Sequence, residues 1–507
     1  MSILTPSRTS TADPVRHRRN VLITCLSAGF ITLLDTSMVV AAVPAIRAEL
    51  GASTGQMQWV VAAYSLSFAL ALVPAGRFGD LLGRHRLFTL GLLVFGTCSV
   101  LGGLAVAPWM VIVGRLLQGF GAGTLNPQVH GLIQDMFQGR DRARAIGWYA
   151  TVGGVAATLG PLLGGGILAV FPAGVGWRVL LVANLPLGLY LYRRARKLFP
   201  RTATPPSTTR STTRSGTRTG TRPGRGLGAG LRQFDVVGLG LLAAALMATL
   251  IPITADSKGF PLLLGLGLSL WTVLALIGWE RSLVFRGRKP LIPPGLAALR
   301  GYPLGTVIAL LIFGASLSLS LVLSSYLQES IGLSAWQAGL VILPSAVASA
   351  LTSSISGNLV SRWGRNLVSW SLFGAVLAVA CMYLGTHAPA AQVPWWMSGA
   401  NLLFGAAIGL GIGPNQMLTL VTLPTGRVGL GAGVYQLTQR LSATVVMPLC
   451  WGIYERIRVS GVPQTPASGG LAARTAVAVI LGILVLALAV ALLSAYRERG
   501  SRVPSPA

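Results

Sequence analysis

Long apolar runs follow one another along nearly the whole chain, and short segments between them hold most of the charged residues. Hydrophobic residues make up 52% of the 507 residues, and charged residues make up 10%. A helix needs about 20 apolar residues to cross ~30 Å of hydrocarbon, and many of these runs reach that length. The pattern therefore predicts an all-α membrane protein that crosses the bilayer many times.

Fourteen candidate spans can be counted. They lie at about 20–43, 56–75, 87–107, 109–135, 144–170, 177–192, 235–254, 260–280, 302–327, 336–356, 367–386, 395–420, 428–454 and 471–495. With the N-terminus inside, 32 of the 40 Lys and Arg residues fall in predicted cytoplasmic segments and six in outer ones. Basic residues accumulate on the cytoplasmic side of membrane proteins, so the charges predict that both termini are cytoplasmic.

The spans divide the chain into a tail, a six-helix bundle, a basic linker, two additional spans, a connector, a second six-helix bundle and a second tail. Their predicted bounds are 1–19, 20–192, 193–234, 235–280, 281–301, 302–495 and 496–507. The linker is rich in Arg, Thr, Ser, Pro and Gly, a composition that cannot bury a core and predicts disorder. It serves as a tether, and its charge also suits anionic lipid headgroups.

Several classes of function are excluded. The net charge of +28 could suggest nucleic acid, but the arginines are mostly confined to the gaps between apolar runs, so no nucleic-acid partner is expected. The cysteines, Cys25, Cys98, Cys381 and Cys450, all lie inside the runs and predict neither a disulfide framework nor a metal site. No catalytic cluster is visible, so we expect neither an enzyme nor a cofactor.

A short hairpin between the second and third spans carries the densest motif of the chain, from Gly76 to Arg86. Gly76, Gly83, Asp80 and Arg84 form the pattern G-x-x-x-D-x-x-G-R. Glycine permits close helix approach and a turn with positive φ, and the arginines hold the loop on the cytoplasmic side.

A weaker copy of this pattern occurs in the second half. Gly357, Gly364 and Arg365 keep the spacing of the first loop, whereas Ser361 takes the place of its aspartate. The repeat indicates that the chain is built from two related halves.

Asp35 is a carboxylate inside the first span, and Arg115 is a cation inside the fourth. Asp35 is fourteen residues from Val21, so it lies ~21 Å from the inner face at ~1.5 Å per residue, and ~9 Å from the outer face of a ~30 Å core. Arg115 is six residues from Trp109 at the outer end of its span, and so it is also ~9 Å deep. An acidic residue within the membrane is costly and indicates a proton or cation site. We therefore expect Asp35 to carry a proton and Arg115 to be its partner.

Several further residues within the spans allow more than one interpretation. In span 5, Gly160, Pro161, Gly164 and Gly165 predict a bent helix that packs closely against its neighbours. The polar residues within spans either pack between helices or line a cavity; they include Gln118, Asn126, Gln128, Asn415 and Gln416.

Arg440 lies midway through span 13, and no acidic residue falls within a predicted span of the second half to pair with it. Its guanidinium either hydrogen-bonds Gln436, Gln439 or backbone carbonyls, or it faces a cavity. There it would meet Asp35 or an anionic part of a substrate.

These motifs together resemble those of major facilitator transporters, in particular the fourteen-span drug:proton antiporters. The hairpin resembles the loop between spans two and three of that family, Arg115-x-x-Gln118-Gly119 its span-4 motif, and Gly160-Pro161-x-x-Gly164-Gly165 its exporter motif. The stretch from Gly176 to Gly188 resembles the entrance of its sixth span. The resemblance covers most of residues 20–190 and is more diffuse in the second half.

The resemblance implies a major facilitator fold, with two six-helix bundles and two extra central helices. It also implies a proton-coupled exporter of amphipathic small molecules in the plasma membrane, a multidrug efflux antiporter that works by alternating access. Asp80 and Arg84 would then latch the cytoplasmic face, and the glycines of span 5 would form a hinge. The alternatives are a dedicated exporter of one metabolite or self-made antibiotic, and a non-transporting membrane sensor or scaffold. Oligomeric state is not indicated.

Overall fold

The computed structural model describes residues 14–172, 174–199, 235–254, 260–288, 290–291, 294–296, 298–299, 301–423, 428–460 and 466–499. Helices dominate these residues, and none of them forms a strand. The N-terminal tail to residue 13, residues 200–234 of the predicted linker and the tail from residue 500 lie outside the described ranges.

The first half contains seven helices: α1 (Pro14–Leu50), α2 (Thr54–Leu82), α3 (Arg84–Gly103), α4 (Pro108–Met136), α5 (Gly139–Val170), α6 (Gly176–Val182) and α7 (Asn184–Leu198). The additional helices are α8 (Val236–Thr254) and α9 (Phe260–Phe285). The second half contains α10 (Tyr302–Ser325), which continues as a π-helical turn over Tyr326–Ser330, and α11 (Ala335–Trp363), α12 (Arg365–Gly385), α13 (Val393–Val421), α14 (Val428–Ser460) and α15 (Pro466–Arg499).

Most of these helices extend beyond the apolar runs from which they were predicted. The sixth predicted span is two helices, α6 and α7, which meet at Ala183, and α7 continues to Leu198, past the predicted start of the linker. Nine helices of the described part are long and apolar enough to cross a membrane. The chain is therefore a multi-pass membrane protein, while the number of fourteen spans stays a prediction.

The two additional helices lie beside the contact between the halves. Helix α8 packs against α2 of the first half and α14 of the second, and α9 packs against α8. Leu242, Leu246 and Leu250 of α8 are buried in an apolar cluster with residues of α1 to α5 and with Leu437 of α14. The extra helices thus cover an interface between the halves.

Glycines let α5 approach two neighbours at once. A Cβ at Gly164 would lie 2.9 Å from the backbone oxygen of Met38 on α1, and one at Gly165 would lie 2.9 Å from the carbonyl carbon of Ala335 on α11. Both distances are too short for a side chain, so backbone packs against backbone at these places. The glycines of span 5 therefore hold α5 against its own half and against the other half.

An ionic network joins the halves at the end of the molecule that the charge pattern places outside. Arg47 of α1 donates to Glu455 of α14 at 2.5 Å. Arg458 contacts both Glu455 at 3.0 Å and Glu329 of the π-helical turn at 3.1 Å. The side chain of Glu455 is fully buried.

The sequence-based view that the second half holds no acidic residue within its spans is thus incomplete. It was incomplete because α14 continues six residues past the predicted end of span 13 and carries Glu455 into the contact between the halves. The apolar run of span 13 thus ends before helix α14 ends.

We expect Gly165→Ala to destabilise the protein by about 1–3 kcal/mol, because an added methyl group meets backbone atoms that cannot move aside easily. Thermal unfolding of the purified protein in detergent measures the effect. Gly147→Ala in the same helix is the matched control, since a Cβ there meets nothing within 4 Å. Equal behaviour of the two variants would contradict the close packing of α5 against α11.

Glu455→Gln should cost about 3–5 kcal/mol, because it leaves two arginines without their shared buried carboxylate. The matched control is Glu498→Gln, which removes the half-exposed partner of Arg365 and should cost less than about 1 kcal/mol. Unfolding temperatures of both variants provide the comparison. A larger loss for the Glu498 variant would show that the outer network contributes little.

Candidate functional site

Asp35 is the centre of a buried polar network within the first half. Its carboxylate accepts hydrogen bonds from Arg115 Nη1, from Gln118 Nε2 at 3.0 Å and from Asn184 Nδ2 at 2.6 Å. The side chain of Asp35 is fully buried and that of Arg115 is 2% exposed. The pair is therefore held away from water and lipid, and three donors stabilise the negative charge.

Ser99 of α3 completes the network. Its hydroxyl accepts from Gln118 at 3.2 Å and from Asn184 at 3.1 Å, and it donates to the backbone oxygen of Leu181 at 2.5 Å. Four long helical segments of the first half, α1, α3, α4 and α7, thus contribute one or two side chains each. Any change in the charge of Asp35 therefore affects contacts between all four.

Local geometry explains these positions. Arg115 and Gln118 are three residues apart and so lie on one face of α4, where Arg115 Nη1 also donates to Gln118 Oε1 at 2.8 Å. Gly119, the next residue, brings α4 close to α2, since a Cβ there would lie 2.9 Å from the carbonyl carbon of Tyr64. Asn184 is the first residue of α7, directly after the break at Ala183.

The aromatic ring of Tyr64 packs against the guanidinium of Arg115. The Arg115 guanidinium lies 4.3 Å from the centroid of the Tyr64 ring, and the Tyr64 hydroxyl donates to the backbone oxygen of Thr32 at 2.9 Å. Arg115 Nε is buried and has no hydrogen-bond partner in the described part of the chain. The cation is thus held by one carboxylate, one amide and one aromatic face.

The depth argument placed Asp35 and Arg115 in one layer, and the structure brings them into direct contact. Gln118, first considered a cavity residue, belongs to the same network. Sequence reasoning missed Ser99 and Asn184 as site residues. Each is a polar residue within an apolar run, a feature that many Ser and Asn residues in spans share. Asn184 also lies in the stretch from Gly176 to Gly188 that resembles the sixth span of the family, but that resemblance did not single it out.

The residues of the hairpin lie together at the predicted cytoplasmic end. Gly83 separates α2 from α3 with a φ of 97°, which requires glycine. Arg84 begins α3 and lies 3.6 Å from the carboxylate of Asp135 on α4. Gly76 lies on α2 close to Pro127 of α4. The side chain of Asp80 lies outside the described part, so its role in a latch stays a prediction.

The related loop of the second half uses a different acidic partner. Gly364 has a φ of 53° between α11 and α12, and Arg365 Nε donates to Glu498 of α15 at 2.5 Å. The arginine thus meets a carboxylate from the last helix, where the sequence offered only Ser361.

Two of the expected cavity residues serve contacts between helices. Asn415 is buried and donates to the backbone oxygen of Gly305 at 2.9 Å and to the Tyr435 hydroxyl at 3.1 Å. Asn126 donates to the hydroxyl of Tyr149 at 2.7 Å. Gln416 is partly exposed on α13. Gln128 donates to the backbone oxygen of Ala75.

Arg440 lies at a contact between the halves. Its guanidinium lies 4.0 Å from the centroid of the Phe68 ring on α2. Gln436, one turn before it on α14, donates instead to the ring of His130 on α4 at 2.9 Å. Of the alternatives left open by the sequence, a bond to Gln436 is therefore not the one observed.

We expect Arg115→Gln to cost about 3–5 kcal/mol in the free energy of unfolding, because it leaves the buried Asp35 without its cation. Adding Asp35→Asn should recover more than half of that loss, since no uncompensated charge remains. Thermal unfolding compares the wild type with the two single variants and the double variant. Additive losses would contradict a direct pair.

Comparison with known proteins gives the same fold. The profile described as Major Facilitator Superfamily matches residues 25–447. A bacterial homolog of the human lysosomal transporter Spinster, solved in an inward-facing and unoccupied conformation, superposes with a TM-score of 0.61 at 17% identity. That match covers 97% of this chain and 99% of the other.

Relatives of known sequence include proteins named for the transport or export of one compound or for resistance to it. The chain is 29% identical to a probable actinorhodin transporter of Streptomyces coelicolor, over 93% of this chain and 79% of that protein. It is 30% identical to the cephamycin export protein CmcT of Amycolatopsis lactamdurans, over 96% and 93%. It is also 30% identical to the puromycin resistance protein pur8 of Streptomyces alboniger, over 84% and 80%. With a family profile over most of its length and this helical fold, the chain belongs to the Major Facilitator Superfamily.

Proposed function

We propose that the protein is a proton-coupled exporter of amphipathic small molecules and that Asp35 carries the coupling proton. The observation that supports this most directly is the Asp35 network, in which one buried carboxylate holds contacts between four helical segments. An acidic residue at membrane depth with a basic partner is typical of proton relays in transporters. The names of the relatives, which refer to antibiotic export and resistance, support the direction of transport.

The network offers a simple coupling mechanism. While Asp35 is ionised, its two oxygens hold Arg115, Gln118 and Asn184 in place. A proton on Asp35 removes the charge that holds Arg115, and one oxygen then becomes a donor where it had been an acceptor. The contacts of α1 with α4 and α7 weaken together, so protonation changes the relative energies of the two states of an alternating-access cycle.

The remaining motifs have places in this cycle. Asp80 and Arg84 would latch the cytoplasmic face with Gly76 and Gly83 as the turn, and Gly160, Pro161, Gly164 and Gly165 would act as a hinge between the halves. The membrane would be the plasma membrane, with both termini in the cytoplasm, as the distribution of basic residues supports. Small molecules, protons and the lipid bilayer would be the partners.

Export of one dedicated metabolite or self-made antibiotic is a second candidate. Several relatives are named for a single compound, namely actinorhodin, cephamycin or puromycin. The coupling chemistry at Asp35 is the same for a dedicated and a polyspecific exporter. Transport assays with compounds of unrelated structure separate the two.

Asp35→Asn should abolish efflux driven by a pH gradient while the protein still inserts and folds, because asparagine has nearly the size and shape of aspartate but takes up no proton. Transport is measured in everted vesicles that carry a pH gradient, with a panel of amphipathic fluorescent dyes of different charge. Asp141→Asn is the matched control, since that aspartate is exposed near the start of α5. Full efflux by the Asp35 variant at equal protein level would remove Asp35 from the mechanism.

A further inference from the structure

Two arginines lie well inside the predicted spans, and only one of them has an anion. Arg115 is paired with Asp35. Arg440 makes no side-chain hydrogen bond and no ion pair within the described residues, and its guanidinium rests on the face of Phe68. Arg440 is partly exposed.

The nearest polar groups do not supply the missing anion. Tyr64 and Tyr149 lie within electrostatic range of Arg440. The Tyr64 hydroxyl donates to the backbone oxygen of Thr32 at 2.9 Å, and the Tyr149 hydroxyl accepts from Asn126 at 2.7 Å. Both remain neutral phenols in these contacts, so the positive charge of Arg440 stays uncompensated.

An uncompensated cation at this depth is costly. Placing an arginine at the centre of a membrane helix is costly, and a cation–π contact recovers only part of that cost. A protein that carries such a charge without a partner gains stability when an anion arrives. The charge is therefore better explained by a ligand than by packing alone.

The surroundings of Arg440 indicate what kind of anion fits. Phe68 is fully buried beneath the guanidinium, and the rings of His130 and Tyr149 contact each other edge to face at 4.7 Å. His130 is partly exposed, as is Gln436, which bridges from α14 to the His130 ring. Aromatic walls with few polar groups suit a flat apolar ligand whose orientation is set by one charged group. These side chains come from both halves, which is where an alternating-access transporter exposes its substrate in turn to either side.

We propose that Arg440 is an anion subsite of the transport site and that it binds the carboxylate or phenolate of an aromatic amphiphile. The proposal rests on the export function proposed above and adds the charge class of the substrate. It also predicts selectivity. A neutral analogue loses the charge-assisted contact with the guanidinium, and a cation meets repulsion that a low effective dielectric strengthens.

The rings of Tyr64 and Phe68 would lie between the anion subsite and the proton site. The Tyr64 ring contacts Arg115, and the centroids of the Tyr64 and Phe68 rings are 6.1 Å apart on α2. Arg440 contacts Phe68 from the other half. A substrate anion at Arg440 and a proton at Asp35 would thus act on opposite ends of the same short stretch of α2.

The test compares three probes of similar size and different charge, namely anthracene carboxylate, anthracene carboxamide and aminomethyl anthracene. Their binding to the purified full chain in lipid nanodiscs is measured by fluorescence titration. The wild type should bind the carboxylate more tightly than the amide, and the amide more tightly than the amine. Arg440→Gln should weaken binding of the carboxylate by roughly 10- to 100-fold, as expected for a lost hydrogen bond to a charged group, while the amide changes by less than about threefold.

Two other variants test the assignment. Arg440→Lys should retain part of the preference for the carboxylate, because it keeps the charge. Arg474→Gln, an arginine of α15 that contacts the backbone oxygen of Thr386, should leave the order of the three probes unchanged. If Arg440→Gln does not fold, the preference of the wild type and its retention by Arg440→Lys decide the question.

Equal loss of the carboxylate and the amide in Arg440→Gln would assign Arg440 a purely structural role and overturn the proposal. Absence of carboxylate binding, or a preference for the amine, in the wild type would also overturn it. Failure of the export function is a different result: the probes bind with the expected order, but a pH gradient moves none of them in proteoliposomes.

Discussion

The cost of placing a charge away from water determines how the first half is organised. Burying the Asp35 carboxylate is costly without the opposite charge of Arg115, and burying the pair is costly without further hydrogen-bond donors. Gln118 and Asn184 supply those donors, and Ser99 satisfies them in turn. Because the donors come from different helices, satisfying one carboxylate fixes how α1, α3, α4 and α7 lie relative to one another.

The contact between the halves follows another principle. At the predicted outer end, Gly165 packs on the backbone of α11, and Glu455 holds an arginine from each half. Close backbone contact is tight only in one geometry, and an ionic contact can be exchanged for contacts with water. Both can therefore be made and broken as the halves move. Near Arg440 the contact is an aromatic face and a cation, and here we infer that a ligand takes part.

Much of the site could be predicted from particular residues of the sequence. Asp35 and Arg115 stand out because charge is rare inside apolar runs, and helix rise alone places them at one depth. Gln118 follows from its spacing to Arg115 on one helix face. Ser99 and Asn184 could not be identified in this way. Placing a hydroxyl or an amide within a membrane helix costs less free energy than placing a charge there, so such residues are not rare in apolar runs.

The sequence by itself determined that the chain is helical, that it crosses a membrane many times and that it has two related halves, because hydrocarbon thickness imposes the length of each apolar run. The tertiary structure decided which of the other charges meet. Arg47 and Glu455 are 408 residues apart and pair only because two helices continue past their apolar runs and end side by side. Arg440 is set against Phe68 of the other half, and no pattern along the chain records that contact. Helix packing determines which side chains meet in a bundle, and it depends on shape across the whole assembly. The depth of a residue in the membrane depends only on its distance along one helix.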